Sequence, residues 1–183
     1  MANAQSVEIL INAVIQREGG YVDHPDDRGG PTRWGVTENV ARENGYIGPM
    51  SALPKIEAQR IYRHLYWENP GFDTIATIAP IIAAECFDTA VNMGPSVAVG
   101  FLQRALNALN RNARDYSDIA VDRAIGPATI AALKGLMATR EADSEPVLLK
   151  AMEALQGERY IALAEARPAN ESFAFGWIKH RIG

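Results

Sequence analysis

Glu18 is the residue whose type and position most readily do chemistry. It follows a run in which Val7, Leu10, Ile11, Val14 and Ile15 recur at helical spacing, and positions 7, 11, 14 and 18 continue that stripe. The spacing puts Glu18 near the core-facing side, at the C-terminal end of a helix. Burial and the negative end of the helix dipole both disfavour a charged carboxylate there. A carboxyl group that keeps its proton near neutral pH is what a general acid requires. Gly19-Gly20 strip side chains from the next stretch of backbone, so a bulky substrate can approach. Asp23, Asp26 and Asp27 follow on a polar loop, with Thr32 and Trp34 beyond. One shielded carboxyl with others on a loop is the acid-plus-carboxylate division used in glycoside hydrolysis. Tyr21, Trp34 and Tyr46 offer apolar faces for sugar rings. A glutamate at a helix end is more often simply solvated, and such a loop simply a connector; residue types alone leave both readings open.

The elements that must position these groups follow from local pattern. Residues 6–18 form an amphipathic helix with Ser6 as N-cap and Glu8 in its first turn, stopped by Gly19-Gly20. Residues 19–36 are too rich in Gly, Pro, Asp and Arg for a helix and read as a long loop or a small irregular β-hairpin. Thr37 caps a short helix that runs to Asn44 and is closed by Gly45. Further helices are expected over 54–66, 77–92, 95–109, 127–137, about 143–166 and about 170–182. Met93-Gly94-Pro95 separates two of them, and 110–122 is polar without clear periodicity. The expected fold is mainly α with a minor β element near the N-terminus.

Composition narrows the function classes. The chain has 183 residues, 48% of them apolar and 22% charged, which is ordinary globular usage. Its net charge of −4 argues against a nucleic-acid-binding protein. Cys86 is the single cysteine, so no internal disulfide can form, and its apolar helical setting makes it a core residue. His24, His64 and His180 lack metal-ligand spacing, the aspartates of the loop do not match a calcium loop, and no cofactor is expected. No uncharged apolar run approaches the ~20 residues of a membrane span, and the N-terminus lacks the basic region of a Sec signal.

Glu18-Gly19-Gly20-Tyr21, with the block from Asp26-Asp27-Arg28-Gly29-Gly30-Pro31-Thr32 to Arg33-Trp34-Gly35-Val36-Thr37, resembles the N-terminal signature of glycoside hydrolase family 108, the phage-type N-acetylmuramidases. Ile61-Tyr62-Arg63, Tyr66-Trp67 and Phe87-Asp88-Thr89-Ala90-Val91-Asn92-Met93-Gly94 extend the likeness. Leu102 to Asn107 and Val121-Asp122 to Thr129 resemble that family's C-terminal peptidoglycan-binding region. The resemblance implies a lysozyme-like helical fold, with residues 1–94 as the muramidase region and 95–183 as a helical peptidoglycan-binding-like region packed with it. It implies an N-acetylmuramidase that cleaves the β-1,4 bond between N-acetylmuramic acid and N-acetylglucosamine in peptidoglycan glycan strands, with Glu18 as catalytic acid. The wider phage lysozyme pattern is Glu, eight residues, Asp, five residues, Thr. Glu18, eight residues and Asp27 fit it, but four residues separate Asp27 from Thr32. Asp27 is therefore the first choice for the second carboxylate, with Asp26 and Asp23 behind it, and Thr32 or Thr37 orients the loop or holds a water.

Glu85, Asp88 and Asn92 share one helix face and serve either as a cleft wall that hydrogen-bonds sugar groups or as a polar network. Asp122-Arg123-Ala124-Ile125-Gly126-Pro127-Ala128-Thr129 resembles the Asp-Gly-x-x-Gly-Pro-x-Thr turn of peptidoglycan-binding modules, with Arg123 in place of the first glycine. The substrate-binding set expected from these signals is Tyr21, Asp26, Thr32, Trp34, Tyr46, Asp88 and Asn92. The rival activities are a lytic transglycosylase on the same bond and a peptidoglycan-binding protein without catalysis. An endolysin of this kind would be made in the cytoplasm as a monomer. It would reach the wall in the periplasm through a holin pore, without stable membrane insertion.

Overall fold

The computed structural model describes residues 4–23 and 30–182, without the side chains of residues 4–6 and of Glu18. The chain divides into two compact units, Met1–Asn69 and Pro70–Gly183.

The first unit opens with helix α1, Ala4–Glu18. Val7, Ile11, Val14 and Ile15 are buried as the spacing predicts. The helix already runs at Ala4, so Ser6 lies inside it and is not its cap. Three two-residue strands follow: β1 Tyr21–Val22, β2 Thr32–Arg33 and β3 Val36–Thr37. They pair antiparallel in the order β1-β2-β3, with Tyr21 opposite Arg33 and Thr32 opposite Thr37. Trp34 and Gly35 form the β2–β3 turn with φ of 57° and 75°. Two positive φ values are what a two-residue hairpin turn needs if it is to match strand twist. Helix α2, Glu38–Glu43, starts at Thr37, whose hydroxyl accepts from the Val40 N–H as expected. Helix α3, Lys55–Arg63, runs into a π-helical turn over His64–Glu68 where one α-helix to residue 66 was expected. There the amide of Asn69 reaches back five residues to the His64 carbonyl. α3 buries Ala58, Ile61 and Tyr62 and packs on α1. Gln59 donates to Asn12 Oδ1 at 2.8 Å, and Arg63 pairs with Glu8 across the same seam.

The second unit is helical among its described residues: α4 Phe72–Ala76, α5 Pro80–Met93, α6 Pro95–Leu109, α7 Pro127–Arg140, α8 Ser144–Ala166 and α9 Glu171–Arg181. The run expected over 77–92 begins only at Pro80. Proline has no N–H to donate, so it suits the first helical turn and not the interior. α5, α6 and α8 pack together around Ile82, Cys86, Phe87, Leu102, Leu106, Leu148 and Met152, all buried. Burial in this apolar core pushes the Cys86 thiol pKa up, which leaves it an inert core residue. α9 lies on α8, with Trp177 stacked 5.3 Å from Tyr160. No helix among the described residues is long and apolar enough to cross a membrane.

Candidate active site

Glu18 is the last residue of α1, and Gly19 takes φ 78° immediately after it, a left-handed conformation that glycine adopts without a Cβ clash. The chain therefore turns at once from a helix with a buried stripe into the small sheet. The Glu18 side chain lies outside the described residues, as do Asp26, Asp27 and His24.

The described members of the expected set are placed as follows. Tyr21 is exposed on β1, and its hydroxyl donates to Asp23 Oδ2 at 3.0 Å. That bond holds the phenol proton on and raises its pKa. Thr32, half-buried on β2, donates to the Gly30 carbonyl at 3.3 Å, which ties the end of the acidic loop to the sheet. Trp34 sits at the hairpin turn in a conformation that costs a non-glycine residue on the order of 1 kcal/mol or more. Its indole N–H donates to the Leu53 carbonyl at 3.0 Å, and the Arg33 guanidinium lies 5.3 Å from the ring centroid. Arg33 Nε is buried with no hydrogen-bond partner among the described residues. The Tyr46 hydroxyl donates to the Pro49 carbonyl at 3.0 Å. A Cβ at Gly48 would meet that hydroxyl at 2.5 Å, so glycine is what lets the ring lie there. Trp34 and Tyr46 are thus both anchored to the segment from Pro49 to Leu53.

Glu85, Asp88 and Asn92 belong to the second unit, on α5. Asp88 receives two bonds from Arg181 Nη1, at 2.7 and 2.9 Å, and Asn92 donates to the Asp88 carbonyl at 2.7 Å. Glu85 Oε1 accepts from the Thr89 hydroxyl, which in turn accepts from Gln156 Nε2, both at 3.0 Å. Burial pushes the Glu85 carboxyl up to about 7; Asp88 and Glu153 push the same way, against the Thr89 bond and Arg181. A carboxyl poised there can hold or release a proton near neutral pH.

Sequence patterns did not reveal how the turn after α6 is organised. Gln103, buried, donates to Asp122 Oδ1 at 2.7 Å, to the Ala124 carbonyl at 3.0 Å and to Thr129 Oγ1 at 3.1 Å, and accepts from the Arg123 N–H at 2.9 Å. Asn107 grips Ile119 through both its N–H and its carbonyl. The available signal was two amides at core-facing positions of an otherwise apolar helix.

A mainly α protein in which a small antiparallel sheet follows the first helix has the lysozyme-like architecture. Residues 11–94 match the model of the glycosyl hydrolase 108 family, and residues 97–182 match that of a predicted peptidoglycan domain. The chain thus joins a region similar to the glycosyl hydrolase 108 family to one similar to a predicted peptidoglycan domain, and these likenesses support a glycosidase acting on peptidoglycan. Among solved structures it is similar to SagA from Brucella abortus, with 27% identity and a TM-score of 0.64 over 98% of this chain and 91% of that one. No curated protein matches. The junction between the two matched regions falls between α5 and α6, within the second compact unit.

Proposed function

We propose that this protein is an N-acetylmuramidase that cleaves the β-1,4 bond between N-acetylmuramic acid and N-acetylglucosamine. Glu18 protonates the glycosidic oxygen as the bond breaks. Asp27 stabilises the oxocarbenium-like centre or activates water, with Asp26 and Asp23 as the alternatives. Tyr21, Thr32, Trp34 and Tyr46 line the sugar path near the sheet. Residues 1–94 carry catalysis, and residues 95–183 hold the wall polymer.

The observation that supports this reading most is the position of Glu18. It ends a helix whose stripe is buried and stands one residue before a left-handed glycine and the hairpin, inside the segment matched by the hydrolase family. Glu18→Gln keeps the shape and removes the proton. It is expected to abolish release of reducing sugar from purified sacculi while the circular dichroism spectrum stays unchanged. Wild-type turbidity clearance by Glu18→Gln would refute the mechanism. Mass spectrometry of the released muropeptides checks the reaction type: products lighter by one water would identify a lytic transglycosylase instead.

A further inference from the structure

Within the second unit, a cleft of about 230 Å³ opens between α6, the turn after it and α8. Arg104 of α6, Arg123 of the turn and Arg159 of α8 all line it, together with Val97 and Phe101. Among the described residues, Glu158 is the only carboxylate that lines it, and none of the three guanidiniums is within ion-pair distance of a carboxylate. The cleft therefore carries an excess of two positive charges in a chain whose net charge is −4. Three arginines near one another repel, and this cleft supplies no matching set of anions.

Arg123 adds an independent sign. Its φ is 65°, a left-handed conformation that glycine adopts freely and arginine only under strain. The Gln103 network holds it there: its amide is bonded to Gln103 Oε1, and the Asp122 carboxylate beside it is engaged by Gln103 Nε2 and the Ala124 N–H. The stem then crosses α6 where that helix has no side chain, since a Cβ at Gly100 would lie 3.5 Å from Arg123 Cγ. A strained backbone, a buried amide network and a bare helix position together deliver one guanidinium to the cleft.

We propose that this cleft binds the carboxylates of peptidoglycan stem peptides. The inference rests on the reading that the protein acts on peptidoglycan. Guanidinium groups select carboxylates through paired N–H donors. In peptidoglycan the amino sugars within the chain are uncharged once the lactyl group is amidated, so the anionic groups are those of the peptide stems. Val97 and Phe101 give the stem's aliphatic carbons an apolar floor. The cleft thereby reads the peptide, while the site near Glu18 reads the sugar.

The test is calorimetric binding of a purified disaccharide-tetrapeptide to the full chain carrying Glu18→Gln, so that turnover does not intervene. Added Arg104→Gln, Arg159→Gln or Arg123→Gly should each weaken binding about tenfold, the scale of one lost charge-assisted bond. Arg123→Gly should do so without lowering the thermal midpoint, because glycine relieves the strained φ; a purely structural role would move the two together. The stem-free disaccharide with its lactyl carboxyl capped as the simple amide, and hence uncharged, should be insensitive to all three substitutions. The inference is overturned if the tetrapeptide ligand binds the variants as well as the parent, if the amide-capped sugar shows the same arginine dependence, or if inorganic phosphate displaces the tetrapeptide ligand at equal concentration. Sugar release by the unsubstituted protein is a separate readout, so failure of the muramidase reading and failure of this one are distinguishable.

Discussion

At the scale of single residues, Glu85 has the most direct consequence for pH. Its carboxyl titrates at about 7 in the folded protein against an ordinary value of 4.5, so the folded state binds the proton more tightly than the unfolded chain. The stabilisation is fully present below pH 4.5 and is lost as the pH rises to about 7. At roughly 1.4 kcal/mol per pH unit, the loss is on the order of 1–3 kcal/mol once partial exposure is allowed for. Glu85→Gln removes the charge and keeps the acceptor for Thr89. Chemical denaturation should show it no more stable than wild type at pH 4.5 and more stable at pH 8; equal stabilities at pH 8 would mean that Glu85 ionises without penalty. Cys86, one residue along, illustrates the opposite outcome: it is fully buried with a raised pKa, and it stays a packing residue.

At the scale of elements, local preference and tertiary packing disagree in α7. Gly135 sits in the interior of that helix, where alanine would ordinarily be better by about 1 kcal/mol. A Cβ there would lie 2.9 Å from Tyr116 Cδ1 and 3.1 Å from its Cβ, and the ring is pinned by its hydroxyl bond to the Leu106 carbonyl at 2.8 Å. Gly135→Ala is therefore expected to destabilise the protein by about 1–3 kcal/mol, the usual cost of overpacking. Thermal unfolding gives the sign directly, and a raised midpoint would show that Tyr116 moves aside cheaply. The β2–β3 turn makes the same point with Trp34. A residue poorly suited to positive φ is held at the tip by its indole bond to Leu53, where hairpin statistics favour Asn or Gly.

At the scale of the molecule, contacts far apart in the chain close the second unit. The Glu145 carboxylate at the start of α8 accepts from the Ile81 and Ile82 amides, at 2.6 and 3.4 Å, and so caps α5 from 64 and 63 residues away. Arg181 near the end of α9 reaches Asp88 on α5 across 93 residues, with both side chains mostly shielded from solvent. Arg181→Ala should cost about 1–3 kcal/mol of stability, because a shielded carboxylate loses a charged donor. It should also push the Glu85 titration upward, since Arg181 favours the charged form of Glu85. Urea unfolding and a carboxyl-resolved NMR titration measure the two effects; an unchanged unfolding midpoint would reduce the pair to a surface contact.

Much of the fold was legible from one-dimensional pattern. The buried stripe of α1, the Thr37 cap, the helix beginning at Pro95 and the small β element depend on periodicity, capping and proline or glycine chemistry, which act within a few residues. The block around Glu18 that resembles the hydrolase family was legible because its residue types stand at close sequence spacing. The start of α5 at Pro80, the π turn after α3, the neutral-range carboxyl of Glu85 and the arginine-lined cleft were not. The Glu145 cap on α5, the burial of Glu85 and the arginine-lined cleft join groups tens of residues apart, and burial and electric field depend on distance in space, which residue order does not specify. The chain by itself determined its helices and the block by which it resembles the hydrolase family. Tertiary packing alone decided which polar groups would be buried, paired or left facing an open cleft, because desolvation and charge pairing exist only once the elements have met.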